Sequence, residues 1–176
     1  MGLLGSLDFG PGEADWRKAW SYVESLGEMG FKGPRQLGMQ YLEGEMEPPQ
    51  GCTLGDVVYA LMLKSAQLGD VTAHWYIGLW YLEHGEAGGP VLPVDEPETY
   101  MTMAIAWLEA GRELCDHGTI LRTEEALRRL AAVYEFGVGG TPRSKEKALA
   151  VYEQMLEPRY WPDNEVYQKA AARLSR

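Results

Sequence analysis

The stretch Ser65-Ala-Gln-Leu-Gly69-Asp70-Val-Thr-Ala73-His-Trp-Tyr-Ile77-Gly78-Leu-Trp-Tyr81-Leu-Glu-His-Gly85 decides how the chain is read. Gly69 has no Cβ, so it can take the left-handed backbone that closes a helix. Asp70 follows at once, and its short carboxylate can accept from the unpaired amides of a new helix. In that helix Ala73, Ile77, Gly78 and Tyr81 recur at i, i+4, i+5 and i+8, which puts two small residues, an aliphatic and an aromatic on one face. Small residues there let a neighbouring helix come close. The stretch reads as the joint between two helical hairpins, and it speaks for architecture more than for an activity.

Working outward, the same pattern returns. Gly38 and Gly78 lie 40 positions apart, and so do Tyr41 and Tyr81, which makes the two Leu/Ile-Gly-x-x-Tyr units an internal repeat. Upstream, Trp16, Ala19, Trp20, Val23 and Leu26 space an amphipathic helix beginning at Glu13. Gly27, Gly30 and Gly33 interrupt it, and Pro34 suits the first turn of the next helix. After a Pro/Gly loop from Glu45 to Gly55, Asp56 is the expected cap of a helix carrying Val58, Leu61, Met62, Ser65 and Ala66. Beyond Tyr81 comes a second Gly/Pro loop, Gly85 to Pro97, then a helix with Tyr100, Met103, Ala104, Trp107 and Leu108 that is expected to stop near Gly111.

A third copy is offset by 53 positions, with Ala126, Leu130, Ala131 and Tyr134 answering Ala73, Ile77, Gly78 and Tyr81. The extra length falls mostly in an insertion, Arg112 to Arg122. Ser144 caps a helix carrying Ala148, Val151, Tyr152 and Met155, and Asp163 or Asn164 caps a last one with the stripe Val166, Ala170, Leu174. Lys169 and Arg173 stay wet, as on the terminal cap of an open array. The expected fold is all-α: a right-handed α/α superhelix, a short solenoid of about three hairpins with flanking helices. It forms one domain, 1–176, with an N-terminal helix in 13–32, repeats at 33–70, 71–122 (holding the insertion) and 123–160, and a capping helix in 161–176.

Two segments carry a family resemblance. Ala66-x-x-Gly69-Asp70-x-x-Ala73-x-x-x-Ile77-Gly78-x-x-Tyr81 resembles the Sel-1-like repeat, a relative of the tetratricopeptide repeat. Gly137-x-Gly139-x-x-Pro142-x-Ser144-x-x-Lys147-Ala148-Leu149-x-x-Tyr152 is similar to that family's glycine loop and second helix. The resemblance covers about Gly33 to Leu156, is clearest in the central copy, and departs from the family in the long second loop and the insertion. It implies a non-enzymatic adaptor or interaction protein.

Bulk properties narrow the partners. A chain of 176 residues with 45% hydrophobic content can bury one sizeable core. The net charge of −10 disfavours nucleic acid and anionic membrane, which need clustered Lys or Arg, and accommodates a basic protein partner more easily. Cys52 and Cys115 make no disulfide framework, so a cytoplasmic address is favoured. No apolar run is long enough to span a bilayer, and Met1 to Leu7 lacks the parts of a secretory signal. Met1-Gly2-x-x-x-Ser6 fits the bare acylation pattern, which an ordinary chain start also fits.

Chemistry-bearing clusters are thin. Cys115-Asp116-His117 offers two ligands without the second pair of a closed metal site. His74 and His84 read as polar edges of their helix. Gly137-Val-Gly-Gly has no strand before it and no Lys-Ser/Thr after it, so it reads as a turn and not a phosphate loop. No metal, cofactor or catalytic group is expected. Trp16, Trp20, Tyr41, Tyr81, Trp107 and Tyr134 keep core spacing. Trp75, Tyr76 and Trp80 cannot all be buried by one neighbour, so one or two are expected at the surface.

In the repeat register, Gln36, Tyr76 and Arg129 align, as do Met39, Leu79 and Ala132, then Gln40, Trp80 and Val133, then Glu43, Glu83 and Phe136. First helices of stacked hairpins line an inner groove, so Gln36, Met39, Gln40, Glu43, Tyr76, Leu79, Trp80, Glu83 and Arg129 are the expected partner-binding residues. Two readings result: an adaptor or scaffold, or a bacterial immunity protein that neutralises a toxin by direct binding.

Overall fold

The computed structural model describes residues 13–30, 32–85, 97–115 and 122–176. Among them the chain is helical, with no strand. Helix α1 (Glu13–Ser25) packs against α3 (Leu54–Gln67); α2 (Gly33–Leu42) pairs with α3, and α4 (Val71–Gly85) with α5 (Pro97–Leu114). Helix α6 (Thr123–Phe136) is followed by a 3₁₀ turn, Val138–Gly140, and pairs with α7 (Lys145–Met155), on which α8 (Glu165–Leu174) rests. Further contacts of α3 with α4, α5 with α6, and α4 with α6 tie the pairs together. The motif at Cys115-Asp116-His117, apart from Cys115, and the chain start lie outside the described residues.

Several ends form as their local chemistry dictates. Pro34 sits in the first turn of α2, where a missing amide costs nothing. Ser144 accepts from the Lys147 amide, and Asn164 from the amides of Val166 and Tyr167. Gly69 takes φ +92, in the left-handed region expected of it. At α3 the cap is Thr53 and not Asp56: the Thr53 hydroxyl accepts from the Asp56 amide and donates to the Asp56 carboxylate, so Asp56 sits in the first turn and orients the capping hydroxyl.

Two apolar cores meet at α4. One joins Ala19, Val23, Tyr41 and the buried run Val57–Leu63 to Tyr76, Ile77, Tyr81 and Leu82; the other joins Trp75 and Leu79 to Leu127, Leu130, Val151, Met155 and Tyr167. Helix α4 is therefore apolar on nearly every side. His74 is drawn inside with it, against expectation. It is 4% exposed, packs edge-on to Trp107, and donates through Nδ1 to the Asp70 carbonyl at 3.0 Å. Burial lowers its pKa below 6.5, an effect that the Asp70 carbonyl and charge oppose.

Glycines mark the closest approaches. A Cβ on Gly78 would stand 2.8 Å from Leu108, and one on Gly111 would stand 2.7 Å from the Trp75 ring. Gly111 is thus a contact point inside α5 and not its end; the helix continues to Leu114 and takes in the first residues of the insertion. At α8 the buried stripe is Tyr167 and Ala170, with Leu174 part-buried, while Val166 is 69% exposed. A stripe from 166 and one from 167 share Ala170 and Leu174, and the tyrosine's larger area decides which turns inward.

The tyrosines of the repeat have matching surroundings. Each hydroxyl reaches the helix before its own pair: Tyr41 bonds Tyr22 of α1 at 2.8 Å, Tyr81 bonds Tyr59 of α3 at 2.9 Å, and Tyr134 donates to Glu109 of α5 at 2.7 Å. Desolvation pushes the pKa of Tyr41 and Tyr81 up to about 12.

Candidate partner-binding face

The joint in front of α4 is built on Asp70, which is 3% exposed. Its Oδ2 accepts from Arg35 Nε at 2.6 Å and Ser65 Oγ at 3.0 Å, and its Oδ1 accepts from the Thr72 amide at 3.0 Å. These three donors offset the cost of taking the carboxylate out of water. The ion pair fastens α2 to the start of α4, a link that spacing alone does not reveal.

The nine expected contact residues divide into two groups. Gln36, Gln40 and Glu43 of α2 are exposed and Met39 is half-buried. On α4, Trp80 and Glu83 are half-buried, but Tyr76 is 6% and Leu79 2% exposed, so these two support the face from below and offer little contact area. The reason is that α4 has neighbours on more than one side: α3, α5 and α6. Arg129 of α6 is half-buried. In line with Glu43 and Glu83, Phe136 is 56% exposed, the kind of uncovered aromatic that anchors contacts.

The top of Tyr76 is closed by Arg122. Its guanidinium lies 5.2 Å from the Tyr76 ring centre, and the Tyr76 and Trp80 rings are 5.8 Å apart. Arg122 also pairs with Glu125, which raises its pKa further, with a smaller contribution from the Tyr76 hydroxyl. Arg122 is the one non-glycine among the described residues at positive φ, +69. Position 122 answers Gly69 in the 53-residue offset, so the left-handed site is kept while its glycine is not.

Acidic charge is concentrated in the middle of the sequence. Residues 36–111 contain eleven Asp or Glu and one Lys, which equals the whole net charge of −10, and the flanking segments cancel each other.

Elsewhere, an open cleft of about 530 Å³ between the end of α5 and α7 is lined by Arg112, Cys115, Gln154 and Arg159 among others. Arg112 bonds Glu109 within α5 and Gln154 of α7, Arg159 bonds Glu157 nearby in sequence, and the Cys115 carbonyl accepts from Tyr160, so the Arg112–Gln154 and Tyr160–Cys115 bonds tie the end of α5 to α7 and the segment after it. The Gly137-Val-Gly-Gly turn packs on α5: a Cβ on Gly139 would collide with the Met101 methyl. Among the described residues no three His, Cys, Asp or Glu side chains converge as a metal site, and no helix is long and apolar enough to cross a membrane. No family model, curated protein or solved structure matches the chain.

Proposed function

We propose that this chain is a non-enzymatic interaction module of the Sel-1-like kind, a short α/α solenoid that holds a partner protein on the face formed by α2, α4 and α6. The observation that carries the reading is the recurrence at Tyr41, Tyr81 and Tyr134, whose hydroxyls each bond the helix ahead of their own pair. Equivalent packing at equivalent positions is what stacked repeats require. In the repeat register Met39, Trp80 and Phe136 fall beside Gln36, Gln40, Glu43, Glu83 and Arg129, a mix of apolar and polar groups suited to a protein-binding patch.

The test is a partner captured from the native cell and remeasured with Trp80→Ala/Glu83→Gln/Phe136→Ala. A loss of affinity of tenfold or more supports the face; unchanged affinity overturns it. The acidic block also favours a second reading, an inhibitor of a basic enzyme such as a toxin, which would associate fast and lose on-rate steeply with salt. An adaptor that takes an extended segment would show a shallower salt dependence.

A further inference from the structure

Three observations meet at Tyr76. Its ring is covered by the guanidinium of Arg122, the rings of Tyr76 and Trp80 adjoin, and Glu83 follows on the same helical face at i+7 from Tyr76. The covering residue is held at φ +69, where a side chain strains the backbone, at a position whose counterpart in the preceding repeat is Gly69, at φ +92. Glycine would relieve that strain at the cost of the guanidinium. The chain as a whole carries a net charge of −10, which attracts a basic partner. An aromatic pair with a carboxylate one turn away is a seat for a planar cation, which stacks on a ring and also donates sideways to an acid.

We propose that this seat takes an arginine of a basic segment on the partner protein, and that Arg122 fills it until the partner arrives. The inference rests on the reading that this face binds a protein, and it names the chemistry of what is bound. Binding then proceeds by exchange of one guanidinium for another. Tyr76 is thus not left as exposed aromatic surface in the free chain, and a partner lacking arginine gains nothing from displacing Arg122. Arginine is preferred over lysine because the compact, strongly hydrated ammonium gains less from the ring faces than a planar guanidinium does.

The test uses labelled hexaarginine and hexalysine peptides, titrated by fluorescence anisotropy at one ionic strength. The proteins are the intact chain and its Arg122→Gly, Glu83→Gln and Trp80→Ala variants. The intact chain is expected to bind hexaarginine about threefold more tightly than hexalysine. Arg122→Gly should strengthen hexaarginine binding about fivefold and hexalysine only about twofold, the latter reflecting one repelling charge fewer. Glu83→Gln should weaken both, and Trp80→Ala should erase the preference. Since Trp80 also touches the core, Trp80→Leu replaces it if the circular dichroism of Trp80→Ala shows lost helix.

Equal strengthening of both peptides by Arg122→Gly, or none, overturns the proposal, as does a preference that survives loss of Trp80. A natural partner that depends on Trp80 and Glu83 but is indifferent to Arg122→Gly would leave the binding face standing and remove the seat. A peptide preference that behaves as expected beside a partner that ignores the face would do the reverse.

Discussion

Gly69-Asp70 ahead of α4 and Arg122-Thr123 ahead of α6 correspond in the 53-residue offset, and they open their helices with different chemistry. At the first, Gly69 turns the chain and Asp70, buried with Arg35 and Ser65, caps the next helix. At the second, Arg122 turns the chain, no side chain caps α6 at that position, and the neutral Thr123 stands where Asp70 would. The first joint is built for rigidity. The second keeps a residue at positive φ whose side chain lies over an aromatic ring and pairs with Glu125.

That contrast can be broken most sharply at the buried charge. Asp70→Ala removes a cap and strands Arg35, and should cost about 3 kcal/mol in urea unfolding, against about 1 kcal/mol for Thr123→Ala. Equal losses would mean that the joints are held alike. Next in size is the close contact behind the first joint: Gly78→Ala forces a methyl into Leu108 and should cost about 2 kcal/mol, with the loss recovered in part by Leu108→Val.

The turn residues themselves come third. Gly69→Ala should destabilise by about 1 kcal/mol, whereas at the second joint Arg122→Gly should be more stable than Arg122→Ala by about the same amount. Both differences report the left-handed backbone. If the two Arg122 variants unfold at one denaturant concentration, the second joint is relaxed and the contrast fails.

The smallest effect is one of pH and belongs to the first joint alone. Burial holds the folded pKa of His74 below its ordinary 6.5, so between those values the unfolded chain binds the extra proton. Stability should therefore be flat above pH 6.5 and fall on acidification through the window beneath it. His74→Gln should flatten that part of the curve, and a slope that survives the substitution would assign it to other groups.

What could be read from the sequence was what is decided locally. The turn at Gly69-Asp70, the start at Pro34 and the caps at Ser144 and Asn164 depend on residues within a turn of each other, and they stand as the spacing predicts. The misreadings involve partners far along the chain or a choice between nearly equal local options. Gly111 looked like a stop because the Trp75 ring that needs its bare backbone lies 36 positions away. Val166 and Tyr167 offer two stripes on one helical wheel, and the α7 surface chooses between them.

The exposure of the expected contact residues follows the spacing only in part. Gln36, Gln40 and Glu43 stand exposed as the register requires, but Tyr76 and Leu79 are covered because α4 touches three other helices. Nothing in the spacing predicts that a residue of the insertion lies on Tyr76. The signal available was Arg122 itself, an arginine at the offset of Gly69.

Because α4 lends Tyr81 to one core and Trp75 to the other, the two ends of the molecule share a single wall. A chain of hairpins joined only edge to edge could melt from its tips inward, one hairpin at a time. Here the loss of that wall dissolves both halves together, so the protein should hold its form up to one temperature and surrender it all at once.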